Sequence, residues 1–313
     1  MKTGKTKKAR QAGETLENYS REWLEWKRPR IKEASYAKYR TAIQKHILPE
    51  LGVLRPAALD GARLERFALS LTGEKGLSPK TARDILTVLA AILAFAGKRH
   101  GVCSGQEILM PRLPKKEMRV LSPREQRIFM EYLTQEMDEC RFGVALALLT
   151  GMRIGEICAL RWENISMEEG TVRVCATVQR VAAEDGTKLL LGSPKSEASQ
   201  RTIPLSDRAV SLCRAMRPAN ARAFVLTGTE RCMEPRTLQY RMKKYTEACG
   251  LCGVHFHTLR HTFATRCVES GFEIKSLSEV LGHSSTSITL NRYVHSSMEL
   301  KRSNMKKLAA VGL

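Results

Sequence analysis

Residues 257–293 read HTLRHTFATRCVESGFEIKSLSEVLGHSSTSITLNRY. His257 and Arg260 stand one helical turn apart, Gly282 and His283 close a second apolar-periodic segment, and Tyr293 lies ten residues beyond that His. Residues at i and i+3 of a helix share a face, so His257 and Arg260 can reach the same atoms. Two upstream stretches contribute further cations: TGMRIGE at 150–156 carries Arg153, and SPKSEASQRTIPL at 193–205 carries Lys195. Together they predict a cage of donors around one phenol.

Guanidinium groups are permanently charged planar forks that match non-bridging phosphate oxygens, and two of them suit a pentavalent phosphoryl transition state. A Tyr hydroxyl, with an ordinary pKa of about 10, needs neighbouring positive charge or a base before it attacks at neutral pH. His283 is spaced to help. A sugar 5′-oxygen leaves readily only when it is protonated, and Lys195, on a turn opened by Ser193-Pro194, suits a general acid. No carboxylate cluster for Mg²⁺ accompanies the set, so the expectation is no metal and no cofactor, with side-chain cations carrying the charge.

On these residues the chain resembles the tyrosine recombinases, the lambda-type phage integrase family, which shares its cleavage chemistry with type IB topoisomerases. TGMRIGE supplies the family's first Arg (Arg153), PKSEASQRTIPL its hairpin Lys (Lys195), HTLRH its His-x-x-Arg pair (His257, Arg260), LGHSS its last His (His283) and NRYVH its nucleophile (Tyr293). A lone HxxR would be weak; six positions in order are specific. The motifs span residues 118–295. The resemblance implies a site-specific recombinase that works through a 3′-phosphotyrosine on double-stranded DNA with paired core sites, as a homo-tetramer, and it leaves a place for a directionality factor. It also implies a mobile element such as a prophage, conjugative element or transposon. Two rivals remain at this stage: a stand-alone type IB topoisomerase activity, and a non-catalytic DNA-binding architectural or regulatory protein.

The 313 residues carry a net charge of +20 with a pI near 9.8. Residues 1–112 hold 22 Lys/Arg against 11 Asp/Glu, and 113–313 hold 30 against 21, so both halves are basic. That suits a polyanion touched from two sides, with binding that weakens steeply as salt rises. No apolar run of membrane-spanning length occurs and the basic N-terminus has no apolar run behind it, which predicts a cytoplasmic protein with no membrane partner. Nine cysteines, scattered through apolar segments, predict reduced thiols, and Cys249 and Cys252 lack the second pair a zinc site needs.

The expected fold is mainly α, with a small β-sheet in the catalytic domain. Residues 1–13 read as a flexible basic arm, too short for the separate arm-binding domain of longer integrases. Residues 14–102 read as four helices: Leu16, Tyr19, Trp23 and Trp26; Tyr36, Tyr39, Ile43 and Ile47; Leu64, Phe67 and Leu71; then a helix opened by Ser78-Pro79. The resemblance makes this the core-binding domain, with Lys38, Arg40, Lys45, Lys80 and Arg83 as candidate DNA contacts. Pro111 and Pro114 mark a linker over 103–121, and Ser122-Pro123 with Glu125 opens the catalytic domain, 122–297.

Within that domain TVRVCATVQRV (171–181), KLLLG (188–192) and RTIPL (201–205) read as strands, AFVLTG (223–228) as an extended segment, and 207–217 and 236–249 as helices. Arg241, Lys243 and Lys244 on the second of these are further candidate DNA contacts. Trp162 reads as core, and His261 as a structural neighbour of the catalytic face. Arg153 in its apolar run either pairs with an acid such as Glu156 or waits for phosphate, and the second is favoured here. Residues 298–313, with Leu300, Met305 and Leu308 on one stripe, are expected to form a tail helix that docks on a neighbouring protomer, as relatives' tails do.

Overall fold

The computed structural model describes residues 14–102, 107–114, 118–183, 186–193 and 199–293. The basic arm, the Lys195 turn and the tail helix lie outside these residues. By its internal packing the chain divides into two units, Met1–Lys116 with Val181–Lys188, and Glu117–Arg180 with Leu189–Leu313.

Apolar residues at three- and four-residue spacing build the first unit. Helix α1 (Leu16–Lys27) buries Leu16, Tyr19 and Trp23. Helix α2 (Glu33–Ala42) runs through a π-helical turn, Ile43–Ile47, into the short α3 (Leu48–Leu51). The wide turn falls just ahead of Pro49, which has no N–H to give the preceding turn. Helix α4 (Gly61–Thr72) starts where the Asp60 carboxylate accepts from the Arg63 N–H at 2.8 Å, and α5 (Pro79–His100) starts where Ser78 Oγ accepts from Thr81 N at 3.2 Å. The helices enclose a core that includes Phe67, Leu71, Leu86, Leu89 and Ile92. Each large side chain so buried contributes roughly 1.5–3 kcal/mol.

In the second unit α6 (Pro123–Gln135) opens with a capping box, Ser122 and Glu125 each bonding the other's backbone N–H. Helix α7 (Glu139–Thr150) is apolar all round beyond its charged first turn and buries every residue from Phe142 to Leu148, which makes it the centre of the core. Trp162 is buried as expected, its ring stacked on Phe142 with centroids 5.4 Å apart. The short α8 (Ile154–Cys158) follows, then β1 (Ile165–Ser166), β2 (Thr171–Val174), β3 (Thr177–Ala183), β4 (Gly186–Gly192) and β5 (Arg201–Pro204). An antiparallel sheet runs β1-β2-β5, pairing Ile165 with Val172 and Val172 with Ile203, so three buried apolar side chains line one face. Strands β3 and β4, whose residues within Val181–Lys188 belong to the first unit, form a separate two-stranded sheet.

The remaining elements are α9 (Asp207–Met216), α10 (Pro235–Ala248), α11 (Phe256–Glu269), α12 (Ile274–Leu281) and α13 (Thr286–Tyr293). Two expectations are corrected. The stretch 171–181 is two strands in different sheets, broken at Cys175 and Ala176. The segment 223–228 is not extended: Phe224 makes a single bridge to Arg161, and the chain then doubles back, Gly228 N–H reaching Phe224 O at 2.9 Å with Gly228 at φ +62°. The eight described cysteines are free; Cys158, Cys213 and Cys267 are buried while Cys175 and Cys252 are exposed. No helix among the described residues is long and apolar enough to cross a membrane.

Gly151 ends α7 in the left-handed conformation, φ +67°, and a Cβ there would lie 2.5 Å from Phe263 Cδ1 and 3.1 Å from Leu281 Cδ2. Replacing it with Ala therefore imposes backbone strain and overpacking together. Gly151→Ala is expected to destabilise the protein by roughly 1–3 kcal/mol, read as a lowered urea midpoint.

Candidate active site

Helix α12 ends at Leu281, with Gly282 following at φ +64°, and the last carbonyls of a helix have no partner within it. Three guanidiniums supply the missing donors. Arg201 Nε donates to Val280 O at 2.5 Å, Arg260 Nη2 to Leu281 O at 2.7 Å, and Arg153 Nη2 to Gly282 O at 3.1 Å. Cations at a helix C-terminus also face the negative end of its dipole. Arg260, 2 % exposed, donates a second bond through Nη1 to Gly151 O at 2.9 Å, so it ties the turn after α7 to the end of α12.

One carboxylate holds two of the three arginines. Glu156, 3 % exposed, accepts from Arg153 Nη1 at 2.7 Å and from Arg201 Nη1 and Nη2 at 3.1 and 2.9 Å. Its other role is local: Oε2 accepts from the Arg153 backbone N–H at 2.9 Å at the start of α8. Arg153 therefore does pair with Glu156, contrary to the favoured expectation that it waits for an anion. The pairing does not neutralise the cluster, because three guanidiniums meet one carboxylate. Burial works to raise the Glu156 pKa, and the hydrogen bonds and charge of Arg201, with the charge of Arg153, outweigh it and hold the carboxyl below its ordinary range. Burial, then the charge of Arg153, lowers Arg260 to about 9, still charged at neutral pH.

The phenol lies beside this cluster. Tyr293, 6 % exposed, ends α13, and its hydroxyl is 2.8 Å from Nδ1 of His261, which projects from α11. The His261 ring meets the His257 ring edge-on, centroids 4.5 Å apart, one turn earlier on the same helix. The His283 ring lies parallel to that of Tyr293 at 6.4 Å, and its Nδ1 is 2.8 Å from Thr289 Oγ1, which orients it. Burial raises the Tyr293 pKa even though Arg260, Arg292 and Arg153 all pull it down. Burial followed by nearby positive charge brings His257 and His261 to about 4 and His283 to about 3. All three imidazoles are thus neutral at neutral pH, and the phenol keeps its proton.

Five of the six site residues expected from the sequence come together here; Lys195 lies outside the described residues. The structure adds Arg201, Glu156 and His261. Arg201 carries no spacing signal, whereas His261 was visible as the i+4 partner of His257 and read only as a neighbour.

The candidate DNA contacts divide. Lys45 and Arg83 are exposed, as are Arg241, Lys243 and Lys244 along α10. Lys38 and Lys80 are exposed but both bind Asp84, at 2.7 and 2.9 Å. Arg40 is half-buried, its guanidinium donating to Ala182 O at 3.3 Å, which corrects its place on an open polar face. No group of His, Cys, Asp or Glu among the described residues is arranged to hold a metal ion.

Residues 119–299 match the phage integrase family, and 15–55 match the phage integrase N-terminal SAM-like domain. A tyrosine recombinase XerC-like protein of Caldanaerobacter subterraneus subsp. tengcongensis is 27% identical over 312 residues, covering 90% of this chain and 79% of that one. Tyrosine recombinase XerC of Xanthomonas campestris pv. campestris is 28% identical over 242 residues, covering 74% and 69%. Among solved structures, the Tn1549 transposon integrase in complex with transposon right end DNA superposes with a TM-score of 0.76 at 20% identity, covering 94% of this chain and 99% of that one. A lambda integrase dimer bound to a COC′ core site superposes at 0.66 with 16% identity, covering 91% and 97%. These two share the fold. The match across 119–299 takes in α6 to α13 and, with them, the arginine cluster and the buried phenol: the chain belongs to the phage integrase family of tyrosine recombinases.

Proposed function

We propose that this recombinase exchanges strands between paired core sites in duplex DNA through a 3′-phosphotyrosine on Tyr293. The observation that supports it most is a buried phenol set against three guanidiniums, two of which share the one carboxylate, Glu156. Surplus buried positive charge is costly without an anion, and a phosphodiester supplies one. Each Nη of Arg260 makes one bond to a carbonyl, and an Nη carries two N–H groups, so the same residue can hold the turn and a phosphate oxygen.

In this reading Tyr293 attacks the scissile phosphorus while Arg153, Arg260 and His257 stabilise charge on the non-bridging oxygens and His283 assists. Lys195 gives its proton to the departing 5′-oxygen. One phosphoester replaces another of similar energy, so no step requires ATP, and the side-chain cations carry the role a metal would have. The 5′-hydroxyl of a partner strand reverses the step, and two rounds through a Holliday junction complete the exchange.

The working assembly is a homo-tetramer on two synapsed duplexes, with a directionality factor as an accessory partner. Support comes from the lambda integrase fold relative, which has been solved as a tetramer bound to a Holliday junction. A mobile element is the expected carrier, in line with the transposon integrase that shares the fold. The exposed Lys45, Arg83, Arg241 and Lys244 are proposed phosphate contacts, joined by Lys38, Lys80, Arg40 and Lys243, the last ion-paired with Glu247 at 3.6 Å, when they exchange their present partners for DNA.

Covalent capture tests the reading. The protein and its Tyr293→Phe variant are incubated, with chelator, with nicked duplexes tiling the DNA that flanks its gene, and the DNA that stays with denatured protein is sequenced. Capture by the wild type alone, at one 3′-phosphate within an inverted repeat, is expected; equal capture by both proteins would remove Tyr293 from its role. Lys195→Ala is expected to slow cleavage of the captured site by roughly 10²–10⁴-fold. Sulfur in place of the bridging 5′-oxygen should restore it, since a thiolate leaves without a proton.

A further inference from the structure

We propose that His261 is a further catalytic residue, taking the phenolic proton of Tyr293 on Nδ1 as the oxygen attacks phosphorus. The inference rests on the reading of Tyr293 as nucleophile and adds the group that activates it. Family resemblance points to His257 and His283 as the site histidines, yet neither has a hydrogen bond to the phenol among the described residues. His283 commits Nδ1 to Thr289 and presents a ring parallel to that of Tyr293. His257 stands edge-on to His261, one turn earlier on α11. His261 alone places a ring nitrogen at 2.8 Å from it.

The pair acts in this way when the phenol O–H is directed at Nδ1, which requires His261 to be neutral with its proton on Nε2. The groups that face it favour this: its burial, His257 and Arg260 from α11, and Arg292 from α13 all act against the imidazolium. Tyr293, also on α13, is uncharged at neutral pH and does not oppose them.

The same charges explain why the base is weak before DNA binds and stronger afterwards. A phosphodiester anion seated against Arg153 and Arg260 offsets the positive field that disfavours a proton on His261. In the step itself the phenolic O–H bond breaks and its proton moves to Nδ1, the O–P bond forms, and the P–O5′ bond breaks with its electron pair leaving on the 5′-oxygen. When a 5′-hydroxyl attacks the phosphotyrosine, the imidazolium returns the proton to the departing phenolate.

His261→Asn provides the test, because its amide oxygen can accept from the phenol near the position of Nδ1 but cannot take the proton. Single-turnover formation of the covalent complex at pH 7 is expected to fall roughly 10²–10⁴-fold. The deficit should shrink as pH rises and the phenol ionises unaided, and it should persist with the 5′-bridging sulfur that rescues Lys195→Ala. A wild-type rate, a deficit constant across pH, or rescue by sulfur would each overturn the assignment. 3,5-Difluorotyrosine at position 293, more acidic than Tyr, gives a second measurement in the wild-type background should Asn at 261 unfold the protein. Its cleavage should become independent of pH at values where the Tyr enzyme still gains with pH, and an unchanged profile would count against His261. Tyr293→Phe runs beside both; covalent capture by that variant would sink the nucleophile itself, a different failure.

Discussion

The carbonyls that end α12 are the point on which the second unit depends. Helix ends leave acceptors without donors, and here the donors are three arginines drawn from β5, α11 and the start of α8. One carboxylate, Glu156, then keeps two of those arginines from repelling each other outright. A capping problem and a charge problem thus share one solution. His283, two residues beyond Leu281, inherits its position from that cap, and α13 with its terminal Tyr293 follows directly.

Backbone permissiveness makes the arrangement sterically feasible. Gly151 turns the chain sharply enough that its own carbonyl meets Arg260, and Gly282 turns it again so that Arg153 reaches the next one. Gly155 has a different job. A Cβ there would lie 2.5 Å from Val178 O, so its absence lets α8 pack directly on β3. Conformational freedom at two positions and bare proximity at a third are separate reasons for the same residue type.

Helix positions and most of the candidate site residues were readable in the chain because both leave periodic traces. Leu16, Tyr19 and Trp23 mark a face, Ser122 and Glu125 mark a start, and His257, Arg260, His283 and Tyr293 keep spacings that a helix converts into proximity. The break at Cys175 was hidden because Thr, Val and Arg on both sides favour extended backbone, and nothing local says that β2 and β3 join different sheets. The segment after Ala223 looked like a strand because it is apolar, whereas its burial comes from a folded-back turn. Arg201 was unreadable as a site residue, since its partners Glu156 and Val280 are distant in sequence. The bond between His261 and Tyr293 spans 32 positions and needed α11 and α13 to be brought together.

The shared carboxylate has a consequence for how this site tolerates drift. Losing either Arg153 or Arg201 leaves Glu156 still matched by the other, so the ion network degrades by one step. Losing Glu156 leaves its partners crowded with no counterion at all. For holding the cluster together, the least tolerant position is therefore an acid that need never touch DNA, harder to change than Arg201, while Arg153 answers to the chemistry as well.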